Sequence, residues 1–240
     1  EGWKFHYGDV ENAEKKDFDD SDLAKWGNLK LPHDFSITQE PSNSNEAESG
    51  FMPGGTGWYR KNFTLDKAME GKEVRLDFDG VYMNATVYVN GHEVGTHPYG
   101  YTPFSFDITD YVKVGEVNTI AVKVDHKTPS SRWYSGSGIY RSVYLTTTDK
   151  VHVDLNGVKV ETPDLAKGNQ NTNIKTTVLN ESDAEKAVTV THTMFEKGKD
   201  TKVGEVTTES KTVAAGQSVD VEATMNVKDA KMWSPESPNL

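Results

Sequence analysis

Short segments in which apolar and polar side chains alternate recur along the first half of the chain. Val74, Leu76 and Phe78, for example, are separated from each other by charged residues. Alternation with a period of two is typical of β-strands that bury one face. The strand-like segments are residues 56–65, 74–78, 85–89, 92–96, 104–108 and 120–124. Asn90-Gly91 predicts a tight hairpin turn between two of them, and many short strands joined by turns indicate a β-sandwich or jelly roll.

The alternating pattern continues in the second half of the chain. Its strand-like segments are residues 151–155, 158–160, 174–180, 186–196, 201–211 and 218–228. Asn156-Gly157 predicts a hairpin turn between the first two of them. Six or seven strands in roughly 90 residues match the size of an immunoglobulin-like sandwich. Residues 232–240 combine a tryptophan with two prolines, and they predict a last strand that leads into a further segment.

Aromatic residues divide the chain into two parts. All ten tyrosines, eight of the nine phenylalanines and four of the five tryptophans lie before residue 149. Beyond that point Val, Thr, Lys, Glu and Asp dominate. We therefore predict an all-β protein with two domains, a jelly-roll β-sandwich at residues 1–148 and an immunoglobulin-like β-sandwich at residues 149–240.

Composition argues against several classes of protein. The 240-residue chain has a formal net charge of −11 at pH 7, which argues against a general nucleic-acid binder because such proteins neutralise phosphates with Lys and Arg. No apolar run approaches the roughly 18–20 residues that a membrane span needs. The absence of cysteine excludes disulfides and leaves the compartment open between a reducing cytosol and bacterial export. Because the chain begins at Glu1, we expect that it is trimmed and that any targeting peptide lies outside it.

Acidic and histidine clusters give no convincing catalytic or metal site. Asp77 and Asp79 are close enough in sequence to be considered as a catalytic pair of carboxylates. Their alternating positions in a strand place both on one face, which we interpret as a face exposed to solvent. The acidic run at residues 17–22 lacks the EF-hand pattern and is interpreted as a solvated loop. No histidine pair has the spacing of a metal site, and no phosphate-binding loop or nucleophile elbow occurs. We therefore predict no catalytic residue, no metal site and no cofactor in this chain.

Residues 125–145 are the strongest candidate for a ligand site. They read DHKTPSSRWYSGSGIYRSVYL and follow the strand-like segment at residues 120–124. Aromatic rings suit the apolar faces of sugars, whereas carboxylates and guanidinium groups suit their hydroxyl edges. The candidate substrate-binding residues are Asp125, His126, Arg132, Trp133 and Tyr134. A purely structural role stays open for them, and it is preferred for Ile139, Tyr140 and Arg141.

The same segment resembles the hallmark sequence of glycoside hydrolase family 2, in its bacterial β-galactosidase branch. The resemblance rests on SRWYSGSGIYR at residues 131–141 and on further matches in the family's order. These matches are GWKF at 2–5, LPHD at 31–34, GWYRK at 57–61, VYVNG at 87–91, YGYTPF at 99–104 and WSPE at 233–236. Together they cover essentially the whole chain.

The resemblance implies a jelly-roll domain of the galactose-binding type, an immunoglobulin-like domain, and then a TIM barrel that carries both catalytic glutamates of a retaining β-galactosidase. A barrel needs about 250 residues, so we expect it to follow this chain and the chain alone to be inactive. In the family, the first domain contributes a loop to the site of the terminal sugar, and Asp125 best matches its acidic contact. PGGTG at residues 53–57 stands where the family has an asparagine, which leaves the galactose contacts open.

Several alternatives and partners follow from this resemblance. β-Glucuronidases and β-mannosidases share the architecture, and a free-standing carbohydrate-binding module would use the same loop without a barrel. A structural or adhesive pair of β-sandwiches fits the composition as well. The expected partner is a terminal β-galactoside bound together with the C-terminal barrel, with neither nucleic acid nor membrane involved. Whether the full-length enzyme forms homo-oligomers is left open.

Overall fold

β-Strands account for nearly all regular structure in the computed structural model, which describes residues 2–22, 24–167, 170–227 and 230–239. Within these ranges every helix is a 3-10 turn of three residues. None of these helices is long and apolar enough to cross a membrane. The chain divides into two units, Glu1–Thr147 and Thr148–Leu240. The all-β class predicted from the sequence is confirmed.

Two sheets form the first unit. Its strands are β1 (Trp3–Tyr7), β2 (Gly27–Leu29), β3 (Gly55–Thr64), β4 (Glu73–Phe78), β5 (Ala85–Val89), β6 (His92–His97), β7 (Phe104–Asp107), β8 (Val117–His126) and β9 (Val143–Thr148). Its 3-10 turns are Ser36–Thr38, Ala47–Ser49, Lys67–Met69 and Thr109–Tyr111. The strand order is β2-β1-β3-β8-β5-β6 in one sheet and β7-β4-β9 in the other. This is the β-sandwich that the alternating pattern predicts.

The core of the first unit is built by the inward-facing residues of both sheets. Val87, Val122 and Val124 of the six-stranded sheet are fully buried, as are Leu76 and Phe78 of the three-stranded sheet. β5 buries every second residue, because successive side chains of a strand point to opposite faces. Burying one such side chain stabilises the fold by about 1.5–3 kcal/mol. The polar residues between them are left at the outer faces.

Seven strands form the second unit in the described residues. They are β10 (Val151–Glu161), β11 (Asn171–Asn180), β12 (Lys186–Val188), β13 (Thr191–Phe195), β14 (Lys202–Thr207), β15 (Lys211–Val213) and β16 (Gln217–Asn226), with one 3-10 turn at Leu165–Lys167. The second unit contains a sheet of order β10-β11-β16 and two antiparallel strand pairs, β12-β15 and β13-β14. Ile174 and Met225 of the sheet pack with Met194 and Val206 of the second pair. The arrangement agrees with the predicted immunoglobulin-like sandwich.

The hairpin turn predicted at Asn156-Gly157 is wrong. Residues on both sides of it belong to one strand, β10, and both pair with β11, with a register shift between Val153 and Val158. Asn156 takes a positive φ of 57°, so the dipeptide forms a bulge instead of a turn. The local signal specifies positive φ, but it does not specify whether the flanking segments pair with each other or with a third strand.

The last strand predicted for residues 232–240 is also absent from the part of that segment that the structure describes. Trp233 forms an isolated bridge with Pro238. Between them, Ser234 and Ser237 exchange backbone hydrogen bonds of 3.0 and 3.1 Å and close a turn. The prolines of the segment lack the N–H groups that a longer ladder would need.

The outer face of the six-stranded sheet is covered by side chains from residues 10–18 and by Trp26. Trp58 and Ala121 of the sheet are buried against Ala13 and Trp26. Arg60 of β3 points to the same face and is only 2% exposed. Its charge must therefore be compensated inside the protein, because an unpaired buried charge is strongly unfavourable.

An ion pair with Asp20 compensates the charge of Arg60. Arg60 Nε lies 2.9 Å from Asp20 Oδ2, and the guanidinium also donates to the carbonyl oxygens of Ala13 and Lys15. Burial raises the pKa of the Asp20 carboxyl, but the hydrogen bonds from Lys4 and Arg60 outweigh it and lower that pKa below its usual value. The interpretation of the acidic run as a solvated loop is therefore wrong for Asp20, whose side chain is 15% exposed.

The Arg60 pair yields a stability prediction. Arg60→Met leaves Asp20 with Lys4 alone and removes the bonds to two carbonyl groups, so we expect the free energy of unfolding of the first unit to fall by about 3 kcal/mol. Lys25→Met is the matched control, because it breaks the exposed Lys25–Asp22 pair and should change that free energy by less than about 0.5 kcal/mol. Urea unfolding followed by tryptophan fluorescence measures both. Equal midpoints for the two variants would contradict the assignment.

Candidate functional site

The candidate ligand loop connects β8 to β9 and comprises residues 127–142, here called the β8–β9 loop. β3 and β8 pair along their whole length, from Gly55 opposite His126 to Thr64 opposite Val117. This register brings the end of β8, where the loop begins, beside the start of β3. Residues 33–36, 79, 82 and 100–101 form hydrogen bonds with the loop, and Thr56 and Asn84 bond to Asp125 at the end of β8.

His126 lies beneath the loop rather than on its surface. Its ring is 6% exposed, because His126 continues the inward-facing series of β8. Nδ1 shares a hydrogen bond with Ser137 Oγ, and Nε2 shares one of 2.8 Å with Ser130 Oγ. The Tyr82 ring stands perpendicular to the imidazole at 5.0 Å, and the Tyr82 hydroxyl donates to Ser130 Oγ. One buried imidazole therefore holds two separate points of the loop.

The carboxylate of Asp34 holds the same loop from the other side. Asp34 Oδ1 accepts hydrogen bonds from the backbone N–H groups of Ser36 at 2.9 Å and Ser137 at 3.0 Å. Oδ2 accepts the hydroxyl of Tyr134. Gly136 has a φ of 73°, and a Cβ at this position would lie 2.8 Å from Asp34 Oδ2. The glycine therefore permits both the left-handed backbone and the close approach of the carboxylate.

Two serine hydroxyls join these anchors into one network. Ser36 Oγ and Ser137 Oγ lie 2.6 Å apart, and Ser36 Oγ donates to the carbonyl of Pro53. Because Ser137 also contacts His126, a continuous chain of hydrogen bonds runs from the strand β8 through the loop to residues 34–36. Buried polar groups that are fully satisfied make such a network rigid.

The C-terminal end of the β8–β9 loop has structural contacts, in line with the structural role preferred from the sequence for Ile139, Tyr140 and Arg141. Ile139 is fully buried, and its carbonyl accepts from the N–H of His33 at 2.8 Å. The hydroxyl of Tyr140 donates to the carbonyl of Gly100 at 2.7 Å. The guanidinium of Arg141 lies over the Tyr140 ring, 5.2 Å from its centroid. These residues fix the path of the chain into β9.

The loop presents Arg132, Trp133 and Tyr134 to solvent. Trp133 is 58% exposed, and its Nε1 donates to the Tyr101 hydroxyl at 2.9 Å. Tyr134 is 39% exposed, and burial of its hydroxyl end, together with the bond to Asp34, raises its pKa. Arg132 is exposed, and its guanidinium makes neither a hydrogen bond nor an ion pair with the described residues. Three consecutive residues of the loop thus expose a guanidinium and two aromatic rings.

Asp125 lies on a different face from His126, because neighbouring residues of β8 point to opposite sides. Its carboxylate is half-buried, accepts from the Thr56 hydroxyl at 3.4 Å and lies 3.3 Å from Lys127 Nζ. Its backbone carbonyl accepts from Asn84 Nδ2 at 2.9 Å. The structure thus exposes Arg132, Trp133 and Tyr134 on the loop, while Asp125 has contacts of its own and the buried His126 supports the loop.

Sequence reasoning missed Asp34, Ser36 and Tyr101 as parts of this site. Asp34 lies in the LPHD match at residues 31–34, which carries no sign in the sequence of a part in the ligand site. Its partners in the loop are about a hundred positions away, at Tyr134 and Ser137. The position of His126, in contrast, had a signal in the sequence, because it has the same parity as Val122 and Val124.

The buried imidazole gives the stability a pH dependence. Burial lowers the pKa of His126 from its ordinary value of 6.5, and Asp34 and Asp125 oppose this only in part. The unfolded chain therefore binds a proton at a higher pH than the folded chain, so His126 contributes stability that is present above 6.5 and is lost as the pH falls below that value.

We expect the free energy of unfolding to fall less steeply between about pH 7 and pH 5 in His126→Gln than in the parent protein. Urea titrations at successive pH values measure the two slopes. A residual slope should remain, because burial lowers the pKa of His33 as well. Parallel curves for variant and parent would contradict the role given to His126.

Comparisons with known proteins place the chain in a family. The sequence model described as "Glycosyl hydrolases family 2, sugar binding domain" matches residues 2–149, and the one described as "Glycosyl hydrolases family 2" matches residues 151–240. A β-galactosidase of Bacteroides ovatus, BoGH2A, is 42% identical over 99% of this chain, which corresponds to 28% of that protein. A protein of Formosa agariphila named putative β-glucuronidase is 39% identical over 99% of this chain and 22% of its own length.

Solved structures agree with these sequence matches. A glycosyl hydrolase family 2 member from Bacteroides cellulosilyticus has a TM-score of 0.89 and 36% identity, and the match covers 100% of this chain and 32% of that one. A β-glucuronidase of glycoside hydrolase family 2 has a TM-score of 0.84 at 26% identity, over 96% of this chain and 26% of that one. The chain thus spans about a quarter of the length of the curated relatives above. It belongs to glycoside hydrolase family 2.

Proposed function

We propose that this chain forms a non-catalytic wall of the substrate site in a longer, retaining glycosidase that cleaves terminal β-galactosides. The observation that carries the proposal is the β8–β9 loop, which is held by buried hydrogen bonds yet presents Arg132, Trp133 and Tyr134 outward. Rigid support beneath exposed aromatic and cationic groups is what a preorganised binding surface needs. Relatives named β-galactosidase support the choice of sugar.

Each proposed contact has a chemical reason. The rings of Trp133 and Tyr134 suit the C–H faces of a pyranose, and the Arg132 fork can donate to ring hydroxyls. Asp125 can accept hydroxyl groups from its half-exposed carboxylate. His126 acts indirectly, since both of its nitrogens are engaged in holding the loop. The surface covers one side of a sugar and leaves the other side to the rest of the longer protein.

Catalysis is assigned to the longer protein. Retaining hydrolysis uses two carboxyl groups about 5–5.5 Å apart, one of which must be protonated as the acid. Asp77 does not suit that role, because it accepts hydrogen bonds from Arg75, Ser105 and Thr146. Burial raises the pKa of Asp77, but these three bonds outweigh it and lower that pKa below its usual value. We therefore expect the 240-residue chain alone to leave chromogenic β-galactosides intact.

A β-glucuronidase is the second candidate, and one observation favours it. Arg132 is exposed and makes no ion pair with the described residues, and a guanidinium can bind the carboxylate of a glucuronide through two parallel hydrogen bonds. The relatives named β-glucuronidase are compatible with this choice. The two candidates differ in what Arg132 binds: a neutral hydroxyl in a galactoside or a carboxylate in a glucuronide.

The proposal is tested by changing Arg132 in the longer protein. With p-nitrophenyl β-galactoside, Arg132→Gln should lower kcat/KM about tenfold, the effect of one charge-assisted hydrogen bond. With the matching glucuronide as the better substrate, the loss should exceed about a hundredfold, because a carboxylate loses two such bonds. Arg141→Gln is the matched control on the same loop and should leave kcat/KM within about twofold.

Three outcomes would contradict the proposal. The first is turnover of either substrate by the purified 240-residue chain, which would place catalysis within it. The second is an equal effect of Arg132→Gln and Arg141→Gln. The third is tight binding of galactose by the isolated chain in calorimetry, which would favour a self-sufficient carbohydrate-binding module over one wall of a shared site.

A further inference from the structure

Three exposed aromatic side chains meet at the surface of the first unit, and one of them, Trp133, follows Arg132 in the chain. Tyr99 and Tyr101 come from the connection between β6 and β7, and Trp133 comes from the β8–β9 loop. They are 56%, 38% and 58% exposed, respectively. The Tyr99 and Tyr101 rings lie 5.7 Å apart at an angle of 70°, and Trp133 Nε1 donates to the Tyr101 hydroxyl. We call these three residues the aromatic cluster.

The backbone that carries the cluster is held in place. Gly100 is buried against Tyr82, where a Cβ would clash with the ring of that tyrosine. The Gly100 carbonyl accepts the hydroxyl of Tyr140, and the Tyr101 ring packs edge-on against Tyr82 at 5.3 Å. Tyr99 therefore projects outward from a fixed loop, and its exposure is not explained by a loose connection.

The chemistry of the cluster fits a sugar better than an aliphatic protein surface. The indole N–H donates to the Tyr101 hydroxyl oxygen, so Trp133 offers ring surface to a ligand, and the tyrosine hydroxyls form polar rims. Gly100 lies between the two tyrosines, and Pro98 and Thr102 flank them, so the neighbouring residues add no large aliphatic side chain. Aromatic rings with polar rims and a neighbouring guanidinium match the alternating C–H faces and hydroxyl edges of a carbohydrate.

We infer that the aromatic cluster is a second sugar subsite, for the residues on the leaving-group side of a β-linked oligosaccharide. This inference rests on the proposed function, in which Arg132, Trp133 and Tyr134 contact the terminal sugar, and it makes Trp133 common to both subsites. Trp133 links the two surfaces, because it follows Arg132 in the chain and its Nε1 donates to the Tyr101 hydroxyl. The substrate class is then an oligosaccharide with at least one sugar unit on the leaving-group side, in preference to a galactoside with a small leaving group.

Tyr99 offers the cleanest test, because its ring contact is with Tyr101 alone among the described aromatic pairs. In the longer protein, kcat/KM is measured for methyl β-galactoside and for β-1,4-galactotetraose. Tyr99→Ala should lower the tetraose value about fivefold, as expected for one lost stacking contact, and leave the methyl galactoside value within about twofold. Tyr99→Phe keeps the ring and should retain the parent ratio of the two values.

Tyr111→Ala is the matched control. Tyr111 is an exposed tyrosine of the first unit that contacts His92, at the other end of β6 from Tyr99. It should leave both kcat/KM values unchanged. An unchanged tetraose-to-methyl ratio in Tyr99→Ala would overturn the inference, and so would the same loss of that ratio in Tyr111→Ala.

A second measurement separates this inference from the proposed function. If the longer protein cleaves neither galactoside, the proposed β-galactosidase activity fails, and the subsite is then decided by affinity electrophoresis of the 240-residue chain in gels containing β-1,4-galactan. Retardation that is lost in Tyr99→Ala and kept in Tyr111→Ala supports the subsite. If the polysaccharide does not slow the migration of the parent chain, the subsite is overturned.

Discussion

The carboxylate of Asp34 is the constraint on which the candidate site depends. It accepts the backbone N–H groups of Ser36 and Ser137 and the hydroxyl of Tyr134. A carboxylate that accepts several N–H and O–H groups provides stronger bonds than neutral acceptors do. Through Ser137 it is connected to the buried imidazole of His126. The middle of the loop is thus bonded to both Asp34 and His126. These bonds restrict the motion of the backbone that carries Arg132, Trp133 and Tyr134.

Under the proposed function, this arrangement would let a β-sandwich take part in a sugar site whose catalytic groups lie elsewhere in the longer protein. The strands β3 and β8 fix the origin of the β8–β9 loop, and the network beneath it fixes its course. Arg132 and Trp133 then stand on a surface that needs little ordering when a ligand arrives, so less binding energy is lost to immobilisation. Contacts made this way would raise the efficiency of a catalytic centre located elsewhere in the longer protein.

Much of the fold follows from the sequence, because period-two alternation is a local property. The strands around Val87 and Val122 and the candidate loop were all predictable from neighbouring residues. The features that were predicted wrongly or missed depend on residues far away in the sequence. The turn signal at Asn156 specified a positive φ but not the pairing of both flanks with β11. Likewise, the anchoring role of Asp34 is set by residues of the β8–β9 loop that only the folded chain brings near.

Hydrogen exchange at the backbone N–H of Ser137 tests the central claim most directly. In Asp34→Ala this group loses the acceptor that holds it at 3.0 Å. The account predicts that exchange at residues 134–138 becomes about tenfold faster, the effect of one lost charge-assisted hydrogen bond. Exchange in the paired strands β3 and β8 should stay as it is in the parent protein. Unchanged exchange at Ser137 in the variant would contradict the claim that Asp34 holds the loop.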